Sequence, residues 1–72
     1  MGCEIFLDEP ITKISQLIEG KEYVFDNELY QLIEIKNNRF VFVTMYGTYV
    51  ANKAMMEQHI KYGVKPVREP VL

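Results

Sequence analysis

From residue 29 to residue 46 the chain is two apolar-rich runs separated by Asn37-Asn38. Such runs joined by two residues predict a β-hairpin, because asparagine tolerates the positive φ that both central positions of a type I′ turn require. A two-residue loop also fixes the register. Lys36 faces Arg39, Ile35 faces Phe40, Ile33 faces Phe42 and Gln31 faces Thr44. Side chains alternate across a strand, so Ile33, Ile35, Phe40 and Phe42 are expected on one face, with Leu29 and Tyr46 at its far end. The opposite face then carries Tyr30, Leu32, Val43 and Met45 and turns polar at Glu34, Lys36 and Arg39. The first face is the expected core; the second, half apolar, is the expected interaction surface. An aspartate at Ile33 is then expected to unfold the domain, and one at Val43 to be better tolerated.

Ahead of the hairpin, Asp8-Glu9-Pro10 reads as a helix start, with acids at the positive end of the dipole and proline in the first turn. Ile11, Ile14, Leu17 and Ile18 recur at spacings of three and four, predicting a helix of about two turns closed by Gly20. Residues 3–7 are short and apolar enough for a strand or a loose terminus. In residues 21–26, Tyr23 and Phe25 fall on one side of an extended segment, and Asp26-Asn27-Glu28 is a turn by composition. After the hairpin, Gly47 marks a turn, placed most simply at Tyr46-Gly47, that returns residues 48–51 as another strand. Asn52 is a good N-cap for a helix over residues 53–62, with Gly63 at the C-cap position and Met55, Met56, His59 and Ile60 on its apolar side. Residues 64–72, with Pro66 and Pro70 and no periodicity, suit an extended edge, a polyproline-like tail or disorder.

The order is helix, three or four antiparallel strands, helix. It predicts an α+β fold, either a meander with helices on one side or a partly closed small barrel of the SH3-like kind. Seventy-two residues suit one small domain, which buries only ~60% of the surface its unfolded chain exposes. A single cysteine, Cys3, leaves no intramolecular disulfide, and a single histidine, His59, leaves no four-ligand Cys/His zinc site. Self-association is the remaining aid to so small a core, and a homo-oligomer is expected. No run approaches the ~20 apolar residues of a membrane span. An acidic start and an unpaired cysteine suit the cytoplasm. Met1-Gly2-Cys3 lacks the Ser or Thr that myristoylation wants at position six, where Phe6 stands.

The net charge of −2 is unevenly spread. Residues 1–34 hold eight acids against two bases, a net −6, and residues 35–72 hold six bases against two acids, a net +4. Such polarity can mark a basic face for an anionic partner. In a meander the two halves lie side by side and their charges interleave, which is the plainer outcome.

Little in the chain points to catalysis. His59 is the strongest candidate base, yet a lone histidine bordering an apolar stripe is most often packed or at the surface. Cys3 has Glu4 beside it, and a neighbouring negative charge raises a thiol's pKa. The four glycines are scattered singly, so no phosphate loop is present. No metal, cofactor or enzymatic activity is expected. Nine aromatics, four methionines, an acidic balance and 49% apolar residues favour a protein-binding module, an inhibitor or regulatory adaptor of the short accessory kind that phages encode. The candidate surface is Tyr30, Leu32, Val43 and Met45. The alternative is a small-barrel nucleic-acid binder using Arg39, Tyr49, Lys53, Lys61 and Arg68, although an isoelectric point near 5.3 argues against it. A second alternative is an oligomeric small-molecule or nucleotide binder with a pocket between subunits.

Overall fold

A computed structural model describes residues 7–68. Four antiparallel strands form a meander, β1 (Glu22–Phe25), β2 (Glu28–Lys36), β3 (Arg39–Thr44) and β4 (Gly47–Asn52). Helix α1 (Lys53–Tyr62) follows, and a two-residue strand β5 (Lys65–Pro66) pairs with β1. The sheet order is β4-β3-β2-β1-β5, so the sheet is open, with β4 and β5 at opposite edges rather than joined as a barrel. α1 covers one face together with a 3-10 turn at Ile14–Gln16, and the core lies beneath them. No helix among the described residues is long and apolar enough to cross a membrane.

The Asn37-Asn38 turn forms as its sequence predicts, with both residues at positive φ and Lys36 opposite Arg39. A second turn of the same kind joins β1 to β2 at Asp26-Asn27, again with positive φ at both positions. These two turns make incompatible demands on β2. The Asp26-Asn27 turn pairs inward-facing Tyr23 with Tyr30, which sends the even-numbered residues of β2 into the core. The Asn37-Asn38 turn pairs inward-facing Phe40 with Ile35, which sends the odd-numbered ones in. A strand alternates strictly, so one extra residue must intervene. It is Ile33. Glu34 faces Val41 and Leu32 faces Phe42, leaving Ile33 as a β-bulge.

The bulge overturns the expected register beyond Glu34. Leu32 and Tyr30 are buried with Phe40 and Phe42, while Ile33 and Leu29 face solvent and Tyr46 is exposed at the hairpin end. Ile35 is half-buried at the edge of the core. The rings of Phe25 and Tyr30 stack at 3.9 Å between centroids, and Phe42 meets both edge-on at 5.5 and 5.7 Å. Such aromatic pairs contribute about 1 kcal/mol each beyond the area they bury.

The N-terminal helix does not form. Asp8 and Ile11 instead donate backbone hydrogen bonds to Pro66 and Val64 at 2.8 and 2.9 Å, and Leu7 bridges Val67, so the chain lies extended along β5. The Ile18 amide, which a helix would direct to Ile14, donates to the Tyr23 hydroxyl at 2.9 Å. Only three residues coil, held by the Gln16 side-chain carbonyl accepting from the amides of Thr12 and Lys13. Ile11 turns inward from the extended segment, Ile14 and Leu17 do so across the 3-10 turn at its period of three, and Ile18 is exposed. Residues 3–6 of the expected first strand and residues 69–72 of the tail lie outside the described residues. Residues 64–68 adopt the extended-edge alternative, with Val67 donating to Glu22.

α1 has the expected bounds. The Asn52 side chain accepts from the Met55 amide at 2.8 Å, and Gly63 caps the other end at φ 121°, its amide bonded to the His59 carbonyl. Met56 is fully buried, and Ile60 packs against the core, but Met55 is exposed rather than part of the apolar side. The turn before β4 is Met45-Tyr46, one residue earlier than expected. Thr44 pairs with Gly47, which takes φ 130°, and the Thr44 hydroxyl accepts from the Tyr46 amide and donates to the Gly47 carbonyl.

The bulge reverses the mutational expectation. Leu32→Asp should abolish cooperative urea unfolding, since it buries an unpaired charge in a domain whose whole stability is of order 5 kcal/mol. Ile33→Asp should lower stability by less than about 1 kcal/mol. Unfolding by Ile33→Asp with retention of fold by Leu32→Asp would restore the unbulged register.

Candidate interaction surface

The face of the sheet turned away from α1 has no covering layer among the described residues. Its side chains fall in rows across the strands, set by the pairing register. Met45 stands beside Leu29, and Leu29 faces Val24. Thr48, Val43, Gln31 and Glu22 make the next row. Val50, Val41 and Glu34 make the third, with bulged Ile33 beside Glu34, and Asn52, Arg39 and Lys36 make the last. Leu29, Ile33, Val43 and Val50 are 40–48% exposed and Met45 is 87% exposed. Large apolar side chains thus run across three strands, with Gln31 among them, Glu22 at one side and Arg39 and Lys36 at one end. A scatter of single exposed apolar residues is ordinary, whereas a contiguous set on one face marks a contact surface.

Of the four residues expected to form the interaction surface, Val43 and Met45 lie on this face. Tyr30 and Leu32 do not; the bulge carries them into the core. Leu29, Ile33 and Val50 take their place. The signal that would have found them is the parity conflict between two two-residue turns, which requires reading Asp26-Asn27 as a tight turn on the same footing as Asn37-Asn38.

The cations expected to line an anion site are dispersed. Arg39 lies on the outer face near the hairpin turn, with Glu34 and Lys36. The Arg68 guanidinium is paired with Asp8 at 3.0 Å. Lys53 and Lys61 share a shallow cleft between α1 and the 3-10 turn, where Lys13 and Glu57 join them. Tyr49 points under the helix, to His59.

Tyr49 belongs to a polar cluster that fastens α1 to the sheet. Its hydroxyl lies 2.8 Å from His59 Nε2, and His59 Nδ1 lies 3.8 Å from the Asp26 carboxylate. With Tyr49 as donor, Nε2 accepts and the ring proton resides on Nδ1, facing Asp26. The His59 ring is also 4.7 Å from that of Phe25, so it packs against the aromatic layer while Nε2 bonds to Tyr49. Asp26 sits in the β1–β2 turn, so the positive φ that reverses the chain also aims its carboxylate at the helix.

Burial pushes the phenols of Tyr23, Tyr30 and Tyr49 above the ordinary tyrosine value. For Tyr23 a hydrogen bond from the Ile18 amide partly offsets this; for Tyr30 and Tyr49 neighbouring acids, Asp26 among them, add to it. In the unfolded chain each titrates near 10. The folded state therefore holds these protons longer, and the stability they carry is complete below about pH 10 and lost as pH rises through the folded values. Urea midpoints should accordingly fall with rising pH above that value, with tyrosinate absorbance from the buried rings appearing as the chain unfolds. A midpoint that rises over the same range would contradict the burial of these phenols.

In comparison with known proteins, no family model, no curated protein and no solved structure matches the chain.

Proposed function

We propose that this chain is a non-enzymatic protein-binding module that docks the outer face of its sheet on an apolar patch of another protein. One observation carries the proposal: Leu29, Ile33, Val43, Val50 and Met45 are exposed together on the face that α1 leaves bare. Fully burying an exposed side chain of this size contributes about 1.5–3 kcal/mol; Leu29, Ile33, Val43 and Val50, already about half covered, would each contribute roughly half of that, against the entropic cost of association. The fitting partner has an apolar centre with one polar group for Gln31 and a rim that can pair with Glu22 and Arg39. Occupying a partner's surface in this way is what an inhibitor or an adaptor does.

Two features favour binding over the other readings. His59 has both ring nitrogens facing Tyr49 and Asp26, which gives it a fastening role between helix and sheet. The basic side chains follow no single groove, Arg39 being on the outer face and Lys53 and Lys61 beside the 3-10 turn, and Arg68 is already paired, whereas a single-strand binder needs them along one groove.

The test compares the chain with its Leu29→Asp and Val43→Asp variants, both at exposed positions and both expected to stay folded by circular dichroism. A host protein captured by the unaltered chain, and rebinding it when purified, should lose at least about tenfold in affinity to either variant, the effect of a central contact. Equal binding by the variants, or no protein captured at all, would count against the proposal.

A further inference from the structure

The two edges of the sheet differ. At one edge β5 is only two residues long, contains Pro66, and is flanked by the extended segment that bonds to it through Asp8 and Ile11. The part of β2 that outruns β1 is capped as well, with Glu19 accepting from the Ile35 amide at 2.7 Å and Gly20 bonding to Leu32. β4 has no such cover. Its six residues, Gly47-Thr48-Tyr49-Val50-Ala51-Asn52, include no proline and no charge, the two devices that most often blunt an edge strand. Thr44 and Gly47 flank a two-residue loop and exchange their hydrogen bonds, so by alternation Thr48 and Val50 turn their amides and carbonyls to the open side. Among the described residues neither has a further partner there.

We infer that β4 pairs antiparallel with the β4 of a second copy of this chain, about a two-fold axis at Val50, joining two sheets into one. The strand complements itself in that register. On the outer face Val50 meets the partner's Val50, which extends the Val41–Val50 row across the seam, and Thr48 meets the partner's Asn52. On the helix face Tyr49 meets the partner's Ala51, a large side chain beside a small one. Charge favours the same arrangement. Arg39 and Lys53 flank the Asn52 end of β4, and antiparallel pairing sets that end beside the partner's Met45-Tyr46 turn, which carries no charge. Parallel pairing would instead set these cations against their own copies. Helical spacing places Met55 on the side of α1 away from the 3-10 turn, and it is 40% exposed there, adding an apolar group above the seam.

Light scattering on the purified chain should give twice its mass of 8.5 kDa at micromolar concentration. Thr48→Pro removes an outward amide without touching the β3–β4 ladder, and Val50→Lys places two cations on the axis. Each should weaken the dimer at least about tenfold while remaining folded by circular dichroism. Val43→Lys, on the same face but one strand inward, should leave it intact. In the unaltered chain the amides of Thr48 and Val50 should exchange slowly when concentrated and faster on dilution, a readout that needs no variant. A monomer mass, a dimer that survives both edge variants, a dimer lost only with Val43→Lys, or exchange independent of concentration would each overturn the inference. The partner-capture test can fail without affecting this one, since here the chain is its own ligand.

Discussion

Strict alternation along β2 is the constraint from which the rest of the structure follows. Two tight turns share this strand, and each dictates which of its side chains point inward. Because the turns disagree by one residue, the strand accommodates both only by expelling Ile33 from the ladder. That expulsion lets Tyr30 and Leu32 at one end of the strand, and Ile35 at the other, share a face with Phe40 and Phe42. It also turns Ile33 and Glu34 together to the opposite side. A buried aromatic layer and a bare apolar face are thus two results of one insertion.

The layer above the sheet is fastened at several separate points. Met56 and Ile60 supply the apolar contact, Asn52 fixes where the helix begins, and Gly63 fixes where it ends. Between those ends, Tyr49, His59 and Asp26 join strand, helix and turn. The 3-10 turn fills the remaining space, with Tyr23 as its anchor: this buried ring, part of the sheet core, takes up the Ile18 amide through its hydroxyl. Local propensity gives way there to the stronger requirement that buried polar groups be satisfied.

Much of this architecture was legible in the residues, and the failures share a physical cause. The Asn37-Asn38 turn, the inward side of β1, both bounds of α1 and its N-cap followed from local chemistry, which acts over a few residues. The N-terminal helix failed because its amides found partners in β5 and Tyr23, more than local spacing can anticipate. Two of the four candidate surface residues share the outer face and two are buried. Val43 and Met45 lie on β3 and at its turn, on the side of the hairpin where alternation is unbroken, while Tyr30 and Leu32 lie on the far side of the bulge. An α+β arrangement with an antiparallel sheet was foreseen; whether that sheet stays open or closes as a barrel was not decided, because it depends on where the edges end and not on what any strand contains.

The extended segment from Leu7 to Ile11 runs along β5 and adds only a single bridge and two backbone hydrogen bonds to the sheet. Its position matters more than its strength. A sheet with two free edges can add neighbours at both and grow without limit, whereas a sheet with one closed edge can join only one other and then stop. Proteolytic trimming ahead of Ile11 would remove the Asp8 bond and the Leu7 bridge, leaving the closed edge to the Ile11 bond, the shortness of β5 and Pro66.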